Sequence, residues 1–383
     1  MTALVKNYNF FCAVAVLMGT IVGAGTFGLP FVFAKAGFTA GIFYLFVLTA
    51  VVLAIHLVYG EIILRTNGSH RLVGYAAKYL GPKAKILTTA VALFEYYGAL
   101  LAYTILGGEF LRIVLGRFFN GSANFWTLIF FALGALAIGW GLKFISGSEL
   151  AMTLGMAAVI ALIIFKGWPQ INYLHFGGDS WRQIFLPYGV ILFALAGSVA
   201  VPEMKQILAG QEKSLKKAIF WGTIIPAVLY FFFVWAVLGI SGPATSEDAI
   251  SGLVPYLGNW IVQTGAIFGL LAVYTSFIVL GVSLKNIYIK DYNLPKVAAL
   301  FLTYSIPLLV YFLGITSFIL VIGFVGAVAS GLDGILTVLI FLRAKERGER
   351  RPEYSLPGAR ILANLLIFVF SLGLVASLLS FFR

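Results

Sequence analysis

The chain has 383 residues, 61% of them hydrophobic and 10% charged, with 26 basic against 14 acidic side chains. A soluble core of that length needs far more polar surface. Apolar stretches long enough to span a bilayer recur from end to end, so the chain reads as an integral membrane protein, and its net charge of +12 points to loops at one membrane face rather than to nucleic acid. One cysteine, Cys12, excludes an internal disulfide or a cysteine-cluster metal site, and His56, His70 and His175 lie too far apart in sequence to show metal-ligand spacing.

The pattern predicts eleven spans, at about 9–34, 38–64, 84–115, 124–142, 147–167, 181–209, 215–241, 257–289, 295–313, 315–342 and 360–382. With the N-terminus inside, 20 of the 26 Lys and Arg residues fall on the cytoplasmic side, among them Lys6, Arg65, Lys143, Lys205, Lys285 and Arg343. Shifting the assignment by one span destroys that bias, so the N-terminus is expected inside and the C-terminus outside. The start shows no clear cleavage site, and no removable signal peptide is expected.

Within the first span, Gly19-Thr20-Ile21-Val22-Gly23-Ala24-Gly25-Thr26-Phe27-Gly28-Leu29-Pro30 places four glycines and a proline in twelve residues. Such a stretch weakens a helix, and in hydrocarbon a broken backbone persists only against protein or a cavity. A helix restarting near Thr26 offers amides to an anion, and the loosened carbonyls suit a cation. The competing reading is a close-packing face, since Gly19 and Gly23 have the small-residue spacing of helix association. The sixth span repeats the anomaly at Leu195-Ala196-Gly197-Ser198-Val199-Ala200-Val201-Pro202-Glu203. Two interrupted spans, five spans apart, fit a five-plus-five inverted repeat with a transport site at the midplane. The repeats would cover residues 1–167 and 181–342, with 343–383 a basic linker and an appended last helix.

Three loops have their own character. Residues 65–82 predict a short amphipathic helix through Leu72, Tyr75, Ala76 and Tyr79. Residues 343–360 read as a charged linker. The stretch 241–256 carries Glu247, Asp248 and two prolines and reads as a candidate outer lid.

At Gly19–Pro30, at Phe193-Ala-Leu-Ala-Gly-Ser-Val-Ala-Val-Pro-Glu203 and at Ala272-Val-Tyr-Thr-Ser-Phe-Ile-Val-Leu-Gly281 the sequence resembles the amino acid–polyamine–organocation superfamily. Within it, the closest likeness is to the amino acid/auxin permease and aromatic amino-acid permease group, whose fold is the LeuT type. The resemblance implies that amides around Gly23, Ala24, Gly25 and Thr26 meet a substrate carboxylate. Carbonyls near Phe193, Ala194 and Ala196 would accept its ammonium, with Phe193 an aromatic lid and Ala196, Gly197 and Ser198 lining a roomy side-chain pocket. A third-span tyrosine completes such sites; Tyr96, Tyr97 and Tyr103 are candidates, with Tyr97 taken first. Sodium-coupled members imply ion ligands at Gly19, Val22, Ala272, Thr275 and Ser276. The competing reading has Thr275 and Ser276 bonding their own helix. Some relatives replace this sodium with a fifth-span lysine, and 147–165 contains none.

Proton coupling stays open because Glu95 lies inside the third span and Glu203 follows the sixth-span break; for Glu203 a pair with Lys205 is the simpler reading. Asp333, within the tenth span, has no assigned role, and Glu61 and Glu109 sit near span ends. No phosphate-binding loop and no His, Asp or Cys cluster supports ATP-driven transport or a membrane enzyme. The expected function is therefore secondary import of a neutral, hydrophobic (branched or aromatic) amino acid with Na⁺ across a prokaryotic cytoplasmic membrane. The alternatives are H⁺ symport or an amino acid sensor on the same fold. Beyond the substrate and the bilayer no partner and no organic cofactor is implied.

Overall fold

The computed structural model describes residues 3–381 apart from 69, 141–147 and 291. It is all-helical. Because backbone amides cannot stay unpaired in hydrocarbon, the apolar segments satisfy them internally as helices. The succession begins with α1 (Ala3–Ile21), α2 (Gly25–Ala36), α3 (Phe38–Arg65), the short α4 (Leu72–Leu80), α5 (Pro82–Leu115), α6 (Ala123–Trp140) and α7 (Ser148–Gly167). It continues with α8 (Leu186–Leu195), α9 (Val201–Ile207), α10 (Leu215–Ser241), the one-turn α11 (Val254–Leu257) and α12 (Asn259–Lys290). The last four are α13 (Lys296–Phe312), α14 (Phe318–Val325), α15 (Gly331–Arg347) and α16 (Ala359–Phe381).

Among the described residues nine helices, counting α8 with α9 and α14 with α15 as continuous, are long and apolar enough to cross a membrane. A tenth crossing arises if Asn7–Ile21 and Gly25–Ala36, bent by 54°, act together. The span expected at 295–313 is α13, whose 17 residues are short for a crossing. Lys143, counted among the inner basic residues, lies outside the described residues.

Long α5 is the organising helix: α4, α6, α12, α13 and α14 all pack on it. Without a hydrophobic driving force between helices in lipid, close approach depends on small residues. Gly107 and Gly108 of α5 accordingly receive Phe130 and Thr127 of α6, and Gly134 of α6 receives Phe277 of α12. Gly189 of α8 faces the backbone of Gly323 and Gly326, where α14 passes through a single π turn (Gly326–Ser330) into α15. Phe27 of α2 then wedges edge-on between Phe110 of α5 and Phe233 of α10, at centroid distances of 4.8 and 6.1 Å. Gly37, between α2 and α3, has φ +102°, and any side chain there would strike the Asp179 backbone, which approaches to 2.5 Å.

The basic end of the bundle is closed by an ordered strap. Residues 348–358, expected as a plain linker, fold back over α3 and α4. The fully buried Glu61 carboxylate accepts from Arg65 Nε at 2.8 Å, from Ser355 Oγ at 3.1 Å and from Leu356 N at 2.6 Å, with Lys345 Nζ at 3.3 Å. Tyr354 donates to the Leu57 carbonyl at 2.6 Å; burial, and next the Glu61 carboxylate, hold its phenol well above the usual range, so it remains a donor. Glu349 joins Lys78 of α4 at 2.7 Å and the Asn67 amide at 2.8 Å. The amphipathic α4 thus buries Tyr75, Ala76 and Tyr79 against protein rather than lying free at the surface. At the opposite end the 241–256 loop is fastened as well: Glu247 accepts from Ser317 Oγ at 3.1 Å, beside the N-terminus of α14.

Candidate substrate site

Hydrogen bonding stops and restarts between α1 and α2. Val22 N donates to Met18 O at 2.8 Å, and the next bonds are Thr26 N to Gly23 O and Phe27 N to Ala24 O, both at 3.1 Å. The amides of Gly23, Ala24 and Gly25 have no hydrogen-bond partner among the described residues, and neither do the carbonyls of Gly19 and Val22. Three free amides at the head of α2 form the positive end of a helix dipole. Ala24 is fully buried and Thr26 nearly so, which keeps this polar backbone away from lipid.

The second interruption mirrors the first. Helix α8 ends at Leu195, Ala196 N donates to Phe193 O at 3.3 Å, and Gly197 (φ −154°, ψ 1°) leads into a 3-10 turn, Ser198–Ala200, before α9. The two interruptions are packed face to face. A Cβ on Gly25 would stand 2.7 Å from Ala194 Cα and 3.1 Å from Phe193 Cδ1, while one on Gly197 would stand 2.7 Å from Ile21 Cγ1. Each break needs a glycine where the other crosses it. Phe193 is also pinned from behind, since a Cβ on Gly326 would meet its Cβ at 2.9 Å. Of the substrate residues named from sequence, the structure thus brings Gly25 against Phe193 and Ala194, and Gly197 against Ile21 at the first break.

Helix α12 flanks the first break. A Cβ on Gly23 would lie 3.9 Å from Ser276 Oγ, and that hydroxyl has no hydrogen-bond partner among the described residues. Thr275 Oγ1 donates to Ala272 O at 3.0 Å, the local bond that the competing reading anticipated.

Tyr97 is committed elsewhere. Its hydroxyl bonds Tyr288 of α12 and donates to Leu302 O of α13 at 3.2 Å. Its neighbour one face round, Tyr103, comes within electrostatic reach of Tyr230, and Tyr230 reaches the breaks. Six residues along a helix turn the side chain to another face, which separates Tyr103 from Tyr97. Sequence reasoning missed Tyr230, which no local pattern singles out among 18 tyrosines.

Among the acids, Glu203 is exposed on α9 and makes no ion pair among the described residues; Lys205 donates instead to Ile63 O at 3.2 Å. The expected Glu203–Lys205 pair is therefore absent among those residues. Glu95 of α5 and Asp333 of α15 lie within electrostatic reach of each other, with Tyr59, Tyr96 and Tyr103 around them. Glu109 pairs with Arg112.

The helical bundle as a whole has counterparts among solved structures. The chain superposes on MhsT in complex with L-phenylalanine with a TM-score of 0.64 and 16% identity, covering 96% of this chain and 98% of that one. It superposes on Mhp1, a nucleobase-cation-symport-1 family transporter, with a TM-score of 0.65 and 13% identity, covering 97% and 90%. Residues 6–378 match the tryptophan/tyrosine permease family, and the chain belongs to that family.

Its relatives include the tyrosine-specific transport system 1 of Haemophilus influenzae, 23% identical over 95% of this chain and 94% of that protein. The low affinity tryptophan permease of Escherichia coli is 22% identical over 89% of both chains. A glutamine transporter of Aliivibrio fischeri is 22% identical over 97% and 99%. The chain is accordingly a multi-pass membrane permease for amino acids and not an enzyme.

Proposed function

We propose that this permease imports an aromatic amino acid together with Na⁺ by alternating access at the two facing breaks. The reciprocal packing of Gly25 on Ala194 and of Gly197 on Ile21 carries the reading, because it sets free amides and loosened carbonyls side by side in a buried place. The amides of Gly23, Ala24 and Gly25 take the carboxylate; the carbonyls of Ala194 and Ala196 take the ammonium; Ala196, Gly197 and Ser198 leave room for a ring, over which Phe193 closes. An aromatic substrate agrees with the family and with the tyrosine and tryptophan carriers among its relatives.

For the ion, the unpaired carbonyls of Gly19 and Val22 and the unbonded hydroxyl of Ser276 are neutral oxygens of the kind a hard monovalent cation prefers, with Ala272 O and Thr275 Oγ1 adjoining. A second reading, H⁺ coupling, is favoured by Glu95 and Asp333, which neighbour each other inside adjoining spans and make no hydrogen bond or ion pair among the described residues.

Uptake of labelled tryptophan, tyrosine, phenylalanine, leucine and glutamine into proteoliposomes under a Na⁺ gradient or a pH gradient tests both. Aromatic uptake driven by Na⁺ alone is expected. Uptake driven only by the pH gradient would move coupling to Glu95 and Asp333, and preference for glutamine would overturn the aromatic assignment.

A further inference from the structure

One side chain touches both breaks. Tyr230 stands in the middle of α10, fully buried, with its hydroxyl 2.7 Å from the Ile21 carbonyl and 2.9 Å from the Ala194 carbonyl. Ile21 is the last residue of α1, and Ala194 sits in the last turn of α8. Among the described residues neither oxygen receives a backbone amide from beyond its own helix, so each is an acceptor left without a backbone donor at the negative end of a helix dipole. Two such ends converge on one phenol. Thr26 lies beside the hydroxyl and Tyr103 within electrostatic reach of it, and Phe233 and Val234 on the same helix are fully buried.

The geometric consequence lies in the spacing of the two half-sites. The amides of Gly23 to Gly25 begin two residues after Ile21, and the carbonyls of Ala194 and Ala196 belong to the other break. A hydroxyl whose one proton is shared between the last carbonyl of α1 and a last-turn carbonyl of α8 ties these half-sites to one common point. We propose that Tyr230 is a positioning residue that fixes the distance between the carboxylate-binding and ammonium-binding halves of the cradle and thereby selects α-amino acids. The inference rests on reading the breaks as an amino acid site. An α-amino acid carries both charged groups on one carbon, and a β-homologue inserts a methylene, lengthening the chain between them by about 1.5 Å. A cradle held to within roughly 0.5 Å rejects that extension, and a slack one accommodates it.

The test is equilibrium binding of L-tryptophan and of β-homotryptophan to purified wild type, to Tyr230→Phe and to a protein with p-aminophenylalanine at position 230. Removing the hydroxyl keeps the ring and takes away the single donor proton that the two carbonyls share. The expected result is an L-tryptophan Kd raised about tenfold, with the preference for the α-amino acid over its β-homologue falling toward parity. The amino group restores a donor at the same place and is expected to restore the preference.

A loss of packing alone would weaken both ligands equally and leave their ratio unchanged. Wild-type affinity and ratio in Tyr230→Phe would overturn the proposal, and so would a p-aminophenylalanine protein that behaves like the Phe variant. If Tyr230→Phe fails to fold, the p-aminophenylalanine protein decides alone: preference retained supports the role, and preference lost with a donor present overturns it. Wild type that binds no amino acid of the uptake panel would instead overturn the reading of the site itself.

Discussion

Gly25 is the residue on which the site turns, because its missing side chain is the space that Ala194 occupies. A Gly25→Val protein is expected to insert and to run as a monodisperse species in detergent, yet to lose detectable amino acid binding; wild-type affinity in that variant would refute the backbone cradle. The ion assignment makes a separate demand. Ser276→Ala is expected to raise the Na⁺ concentration for half-maximal uptake about tenfold. Thr275→Ala acts less, since that hydroxyl already serves the Ala272 carbonyl. Unchanged sodium dependence in both variants removes the proposed site. The glycine-rich first stretch and the small-residue, proline-bearing second one stood out in the sequence because a break is a local event, written in consecutive residues that weaken a helix. Tyr230 did not, since its acceptors lie 209 and 36 residues away and only the fold brings them together. Tyr96, Tyr97 and Tyr103 could not be separated for the related reason that they share a 34-residue helix, and sequence does not say which way each faces.

At the scale of elements, the strap over the basic end replaces the expected linker. Charge and prolines mark residues 343–360 as polar, but the buried acceptor that organises them, Glu61, sits on another helix far back in the chain. Replacing Glu61 with Ala leaves Lys345, Arg65 and the Leu356 amide without their common acceptor, which is expected to destabilise the protein by about 3 kcal/mol. A thermal shift assay in detergent reads this as a lower melting temperature; an unchanged one would show that the strap adds nothing to the fold.

Glu349 gives the same strap a pH dependence. The Lys78 ammonium, with help from the Asn67 amide, holds its carboxyl below the usual carboxylate range. Its contribution is therefore present at neutral pH and is lost as the pH falls below about 4 and through the depressed value. In Glu349→Gln the acid-side fall in melting temperature is expected to be shallower than in wild type.

For the whole molecule, the succession of apolar helices followed from apolar length, whereas the number of crossings depends on short α13 and bent α1–α2. Orientation makes its own prediction. In a background where Cys12 is replaced by Ser, a cysteine at Leu174, in the exposed stretch between α7 and α8, is expected to react with an impermeant maleimide on intact cells. One at exposed Arg351 is expected to react only after permeabilisation, and the reverse pattern would invert the topology. Any rocking under the proposed alternating access would have to break or carry along the fastenings at both ends, Glu247 on Ser317 and the strap on α3.

The Glu61 network bears on how the chain is made. Leu356, its backbone donor, is 295 residues further along, so the second span enters the bilayer long before that donor exists. Arg65, one turn away, is the companion available at once, and an i,i+4 pair lets the carboxylate travel with a counter-charge from the start. Biogenesis then has a natural last step: emergence of residues 348–358 latches the first-made helices to the last-made ones. Ribosome-bound chains truncated before residue 348 are expected to remain open to protease at the α3–α4 turn, and chains extended past 358 to become resistant there.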